Sequence, residues 1–174
     1  MTTAVLEENA IDPVLLTRLG KAVVLWSSLE SWIALLSGTL MGADLGASSY
    51  ITNSTSAALQ TKCIRALLSV HAHKEPATQD VSLLLDRADE LRSERNELVH
   101  GIWNARDCPP GTAIVNTANL DRTEMIKDRL VTVADLDELV EQIEEWIKDY
   151  AILGAKLGFP RNKGATKSLF VEQP

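Results

Sequence analysis

Apolar residues recur along most of this chain in steps of four and three, and one short stretch keeps a different period. Leu15, Leu19, Ala22, Trp26, Leu29, Ile33, Leu36 and Leu40 hold the four-three step without a break, which lays side chains along one stripe of an α-helix. Asp12-Pro13 suits the start of that helix. An Asp oxygen caps free N–H groups, and Pro has no N–H to waste at the first helical position. Gly38, Gly42 and Gly46 bring the stripe to an end, and the Gly- and Ser-rich segment from Ala43 to Ser54 reads as a loop. A second helix is expected from about Thr55 to Val70, with Leu59, Cys63, Ala66, Leu67 and Val70 inward. It stops around His71 to Pro76, because proline disfavours helix in the residue before it. The third helix runs from about Thr78 to Gly101, its apolar line passing through Leu84, Ala88, Leu91, Leu98 and Ile102.

The period then changes. Trp103 to Asp107, Thr112 to Thr117 and Glu124 to Thr132 are short, β-leaning pieces around a Cys108-Pro109-Pro110-Gly111 turn, and they predict a hairpin or a three-stranded flap. Thr132-Val133-Ala134-Asp135 resembles a capping box with Asp in place of Glu, opening a fourth helix lined by Leu136, Val140, Ile143, Ile147, Tyr150 and Leu157. Gly158-Phe159-Pro160 stops it, and residues 159–174 form a polar tail, flexible or an arm onto a partner. The expected fold is all-α: an antiparallel four-helix bundle with a short β-hairpin insertion between the third and fourth helices. It makes one domain of residues 1–174, with a helical core from about 12 to 158. There is no internal repeat.

Composition narrows the function more than the fold. A chain with 45% apolar and 24% charged residues is an ordinary globular one. Lys plus Arg number 17 against 24 Asp plus Glu, a net charge of −7, which argues against broad duplex DNA binding, since that runs on clustered positive charge. A small phosphate site stays open. Cys63 and Cys108 form no metal or disulfide pattern; Cys63 is placed in the core and Cys108 in the turn. Met1-Thr2-Thr3-Ala4 lacks the charged start and apolar core of a secretory signal, and no uninterrupted apolar run approaches the ~18 residues of a membrane span. A cytoplasmic location without a membrane partner is therefore expected.

One segment breaks the packing pattern. In Arg95-Asn96-Glu97-Leu98-Val99-His100, Arg95 falls where the third helix's line demands an apolar residue. A guanidinium does not shed its proton, so burying it unpaired costs several kcal/mol, and either a carboxylate meets it or the face is an open cleft. Asn96 and His100 are four apart and stack on one side, whereas Arg95 and His100 are about 140° apart on an ideal wheel. A shared site requires Arg95 to reach round, a distortion near Gly101, or a second copy of the chain.

Arg95-Asn96 followed by His100, late in the third helix of a bundle, resembles the signature of the HEPN superfamily of all-α ribonucleases and RNA-binding modules, named from higher eukaryotes and prokaryotes. An acidic residue on a long first helix also belongs to that pattern, and Glu30 matches it. The resemblance spans about Asp12 to Gly158. It implies metal-independent RNA cleavage without a cofactor, by attack of a 2′-hydroxyl on the adjacent phosphorus. In that scheme His100 handles the proton, Arg95 stabilises charge on phosphate oxygens, Asn96 positions either group, and Glu30 pairs with Arg95 or orients His100. It also implies a homodimer sharing its cleft and, from the habits of the family, a toxin or defence setting with a possible antitoxin protein. The HEPN toxins silenced by nucleotide transfer carry a Tyr two places after the His, where this chain has Ile102.

Plainer readings stand beside these. Arg95 paired with Glu30 is a common bundle feature, and a histidine at a helix end gains from the dipole. A non-catalytic module binding RNA, a nucleotide or a protein, or a purely structural dimer, fits the same pattern. His71 and His73 lack a nameable third metal ligand. Trp26, Trp32 and Trp146 suit core or dimer surface, and Trp103 suits packing more than base stacking. The acids from Asp135 to Asp149 suit a solvated helix face.

Overall fold

The computed structural model describes residues 10–40, 55–71, 77–117 and 127–156. Residues 1–9, the Gly- and Ser-rich loop from Ala43 to Ser54, the side chains of Val70 and His71, His73, Leu157 and the tail lie outside what is described. Among the described residues lie four helices, α1 (Pro13–Leu40), α2 (Ala57–His71), α3 (Ala77–His100) and α4 (Val133–Lys156), and three strands, β1 (Ile102–Asn104), β2 (Thr112–Thr117) and β3 (Lys127–Thr132), which fall between α3 and α4 in the chain.

The first helix begins as its sequence demands. Asp12 Oδ1 accepts a bond from the Val14 N–H at 2.8 Å, and its other oxygen accepts from the Gly111 N–H at 3.1 Å. One carboxylate therefore caps α1 and ties down the β1–β2 turn, where Gly111 takes φ 74°, a conformation that favours glycine. Leu15, Ala22, Trp26, Leu29, Ile33 and Leu36 are buried along the expected line. By length and composition α1 is also long and apolar enough to cross a membrane, although it contains no uninterrupted apolar run of that length; a core helix passes the same test.

The second helix presents a different face from the one expected. Ala57, Gln60, Thr61, Ile64 and Leu68 point inward, whereas Leu59 is 49% exposed and Cys63, placed in the core by its sequence, is exposed too. Ala66 is likewise exposed and Leu67 half-buried. Two polar residues take inward positions with their donor groups bonded locally, while Gln60 Oε1 is buried without a hydrogen-bond partner. Gln60 Nε2 donates to the Thr55 carbonyl and hydroxyl at 3.1 Å each, and Thr61 Oγ1 donates to the Ala58 carbonyl at 3.0 Å.

Charged pairs give the helix directions. Arg18 meets Asp137 at 2.7 Å, Lys21 meets Glu144 at 2.9 Å, and the Trp32 and Tyr150 rings lie 5.2 Å apart. Later residues on α1 meet later residues on α4, so these two run parallel. Between α3 and α4 the order reverses: Arg87 meets Asp149 at 2.7 Å and Lys156 meets Asp80 at 3.7 Å. The uniformly antiparallel arrangement expected from the sequence is therefore not what the first and last helices adopt. Only short links force antiparallel neighbours, and the stretch between Leu40 and Ala57 is not short. α1 contacts all three other helices, most extensively α4.

The β segment is a sheet of order β1-β2-β3, antiparallel throughout. Trp103 pairs with Val115, and Ala113 with Val131; with Ala113, Val115 and Val131 buried, this is the inner face. Ile102, expected on the α3 apolar line, instead opens β1 and is 70% exposed. Gly101 explains the change. A Cβ there would run into the Val115 side chain and lie 2.6 Å from the Glu97 carbonyl oxygen, so the helix ends where β2 crosses close to its backbone. Trp103 packs as expected, its Nε1 donating to the Leu98 carbonyl at 2.7 Å. Cys108 lies in the β1–β2 turn as expected.

Candidate functional site on the third helix

Four sequence-derived residues converge only in part. Arg95 is half-buried on the side of α3 that carries the buried residues Ala88, Leu91 and Leu98. Its Nη1 donates to Asn96 Oδ1 at 2.9 Å, and its Cζ lies 6.0 Å from the centroid of the Trp26 ring on α1. Its Nε is buried without a hydrogen-bond partner. Among the described residues no carboxylate forms an ion pair with Arg95. The pair with Glu30 is not made, and Glu30, half-buried on α1, contacts neither Arg95 nor His100 by hydrogen bond.

This arrangement sets Arg95 apart from the other arginines nearby. Arg92 pairs with Asp89 at 3.0 Å, and Arg129 of β3 donates to Glu94 at 2.9 Å, a bond that raises the Arg129 pKa further. Those guanidinium charges are neutralised where they sit. Arg95 is held by a neutral amide and a neutral ring, and no carboxylate among the described residues offsets its charge.

Asn96 also bears on the angular problem. It stands about 100° round the helix from Arg95 and about 40° from His100. By accepting from Nη1 it anchors the guanidinium tip at a residue that shares a side with the imidazole. His100 is the last residue of α3 and is exposed, with no hydrogen bond or ion pair among the described residues. The structure thus joins Arg95 to Asn96, with Asn96 and His100 one turn apart on the helix, and shows no hydrogen bond between Arg95 and His100 inside one chain.

Sequence reasoning read Trp26 as core or dimer surface. It is 1% exposed, a core position, and its ring also flanks Arg95. The position of Arg95 on the inward line of α3 signals a partner on a neighbouring helix, but nothing in the sequence singles out Trp26 over Glu30. Elsewhere, a cleft of about 270 Å³ opens between the first half of α3 and the end of α4, lined by Leu83, Arg87, Ile152 and Lys156 among others. It lies at the other end of α3 from Arg95. Among the described residues no group of three His, Cys, Asp or Glu is placed to hold a metal ion.

No protein-family model, curated protein or solved structure matches the chain.

Proposed function

We propose that this chain is a metal-independent endoribonuclease of the HEPN type, working as a homodimer of four-helix bundles with the sheet inserted between α3 and α4. One observation carries the reading: Arg95, on the packing side of α3, is oriented by Asn96 while no carboxylate among the described residues neutralises it. A phosphodiester in the transition state gathers negative charge on its non-bridging oxygens, and a fixed, uncompensated cation stabilises that charge. His100 supplies an imidazole that takes the proton from the attacking 2′-hydroxyl. As that oxygen bonds to phosphorus, the bond to the 5′-oxygen breaks. The departing oxygen receives a proton, and the products are a 2′,3′-cyclic phosphate and a 5′-hydroxyl. Because Arg95 and His100 of one chain share no hydrogen bond and stand about 140° apart on the helix, the reading needs two copies of α3 to face each other.

The same separation favours a second reading, a non-catalytic module of the same fold in which Arg95 and Asn96 bind RNA or a nucleotide and His100 merely ends the helix. Incubating RNA with the protein in EDTA separates the two. The wild type should cut to cyclic-phosphate ends, and His100→Ala and Arg95→Ala should lower the rate by about 10²- to 10⁴-fold. RNA left whole by the wild type across varied sequences sinks the nuclease reading. Binding that is lost in Arg95→Ala, without cutting, selects the second. A sedimentation mass of one chain at micromolar concentration removes the shared cleft.

A further inference from the structure

We infer that Trp26 is the positioning residue for Arg95: it fixes the guanidinium with its ring face, in a way that leaves the positive charge available to an anion. The inference rests on the proposed role of Arg95 toward RNA phosphate, but its geometry stands without it. Arg95 enters the space between α1 and α3, where Trp26 is 1% exposed. The Cζ-to-ring distance of 6.0 Å is at the outer limit of cation–π attraction.

Two features favour pinning by the ring. Nε is buried and has no acceptor, whereas a guanidinium free to rotate would turn that N–H toward water or a carbonyl. Its orientation is therefore imposed by packing. The second contact, Nη1 to Asn96 Oδ1 at 2.9 Å, fixes one end of the fork, and Trp26 flanks the group from α1. A carboxylate in the same place would hold the arginine as firmly while cancelling its charge, as Glu94 does for Arg129 at 2.9 Å. Glu30, one turn beyond Trp26 on α1, makes no such pair. An aromatic face attracts a cation and adds no charge of its own.

The test reads the guanidinium directly. In ¹⁵N spectra of the full-length protein, the Arg95 Nε–Hε signal, assigned by its loss in Arg95→Lys, should be displaced by the indole ring current and protected from solvent exchange. Trp26→Leu should abolish both properties, and Trp26→Phe should keep the protection in part, with exchange about two- to five-fold faster, the range a weakened cation–π contact allows. Trp146→Phe, which alters another buried indole, should leave the signal unchanged, so loss of stability alone does not mimic the effect. If Trp26→Leu does not fold, Trp26→Phe against Trp146→Phe decides the matter. An Arg95 signal in Trp26→Phe with wild-type shift and exchange overturns the inference, as does a folded Trp26→Leu that retains it. RNA cleavage by the same variants separates this result from the nuclease reading. If wild type fails to cut while the signal follows Trp26, the nuclease reading falls and the positioning role stands. If wild type cuts, kcat should fall on Trp26→Phe and fall further on Trp26→Leu, with KM changing less.

Discussion

At the junction of β3 and α4, single side chains do work that a pH titration can read. Asp135 Oδ2 accepts from both the Thr132 N–H and the Thr132 hydroxyl at 2.7 Å, and the Asp135 N–H donates back to Thr132 Oγ1 at 3.2 Å. These bonds, led by that of the Thr132 hydroxyl and helped by nearby Arg129, hold the Asp135 pKa below the ordinary carboxylate value, against the opposing effect of burial. A depressed folded pKa stabilises the fold above the unfolded pKa and loses that effect as pH falls through the folded one. The advantage of wild type over Asp135→Asn should therefore be greatest near neutral pH and shrink below about pH 4. Thr132→Ala should cost about 1 kcal/mol at neutral pH, as N-cap losses do. Denaturant unfolding at both pH values checks the pair, and a gap that does not narrow in acid would mean the carboxylate charge plays no part. The box was legible in the sequence because its parts are three residues apart. The Arg95 environment was legible only by half. The misfit of an arginine on an apolar line announced the site, but no local rule says which residue of another helix will meet it, and Trp26 took that place instead of Glu30.

Elements were readable where one face dominates and misread where it does not. The α1 line needed no correction, since bulky residues recur at nearly every inward position. The α2 face was set one position off, because counting apolar residues favours Leu59 and Cys63 over Gln60 and Thr61, and only the fold reveals the local bonds made by the Gln60 amide N–H groups and the Thr61 hydroxyl. The end of α3 misled for a different reason. Ile102 continues the four-three step perfectly, yet the chain has already turned, and what turns it is the close approach of β2 to Gly101. Gly101→Ala should accordingly destabilise the protein by about 1 to 3 kcal/mol, the range for forcing extra volume into a packed site. Adding Val115→Ala should recover only part of the loss, because the Glu97 carbonyl oxygen, 2.6 Å from the new Cβ, belongs to the backbone and remains. Thermal unfolding of the single and double variants measures both effects. A neutral Gly101→Ala would show that glycine was needed neither to end α3 nor to admit the sheet.

Across the whole molecule, charge is spent on holding helices together. Arg18 and Lys21 tie α1 to α4, Arg65 ties α2 to Asp86 and Asp89 of α3, Arg87 and Lys156 tie α3 to α4, and Arg129 ties the sheet to α3. Each such exposed pair is worth only about 0 to 1 kcal/mol, so their larger consequence is for ligands. In a chain of net charge −7, cations already facing carboxylates are poor partners for a phosphate backbone, and engaging them would break cross-helix contacts. Arg95, held by uncharged groups, bears no such cost. RNA binding, if it runs through this site, should therefore engage about one or two phosphates. For single strands the slope of log K against log salt is about −0.7 per phosphate, so a slope near −1 is expected in anisotropy titrations of a labelled single strand between about 50 and 200 mM salt. Arg95→Ala should remove most of that slope, while Arg87→Ala should leave it unchanged. A slope several times steeper, insensitive to Arg95, would place the nucleic acid on a surface other than the end of α3.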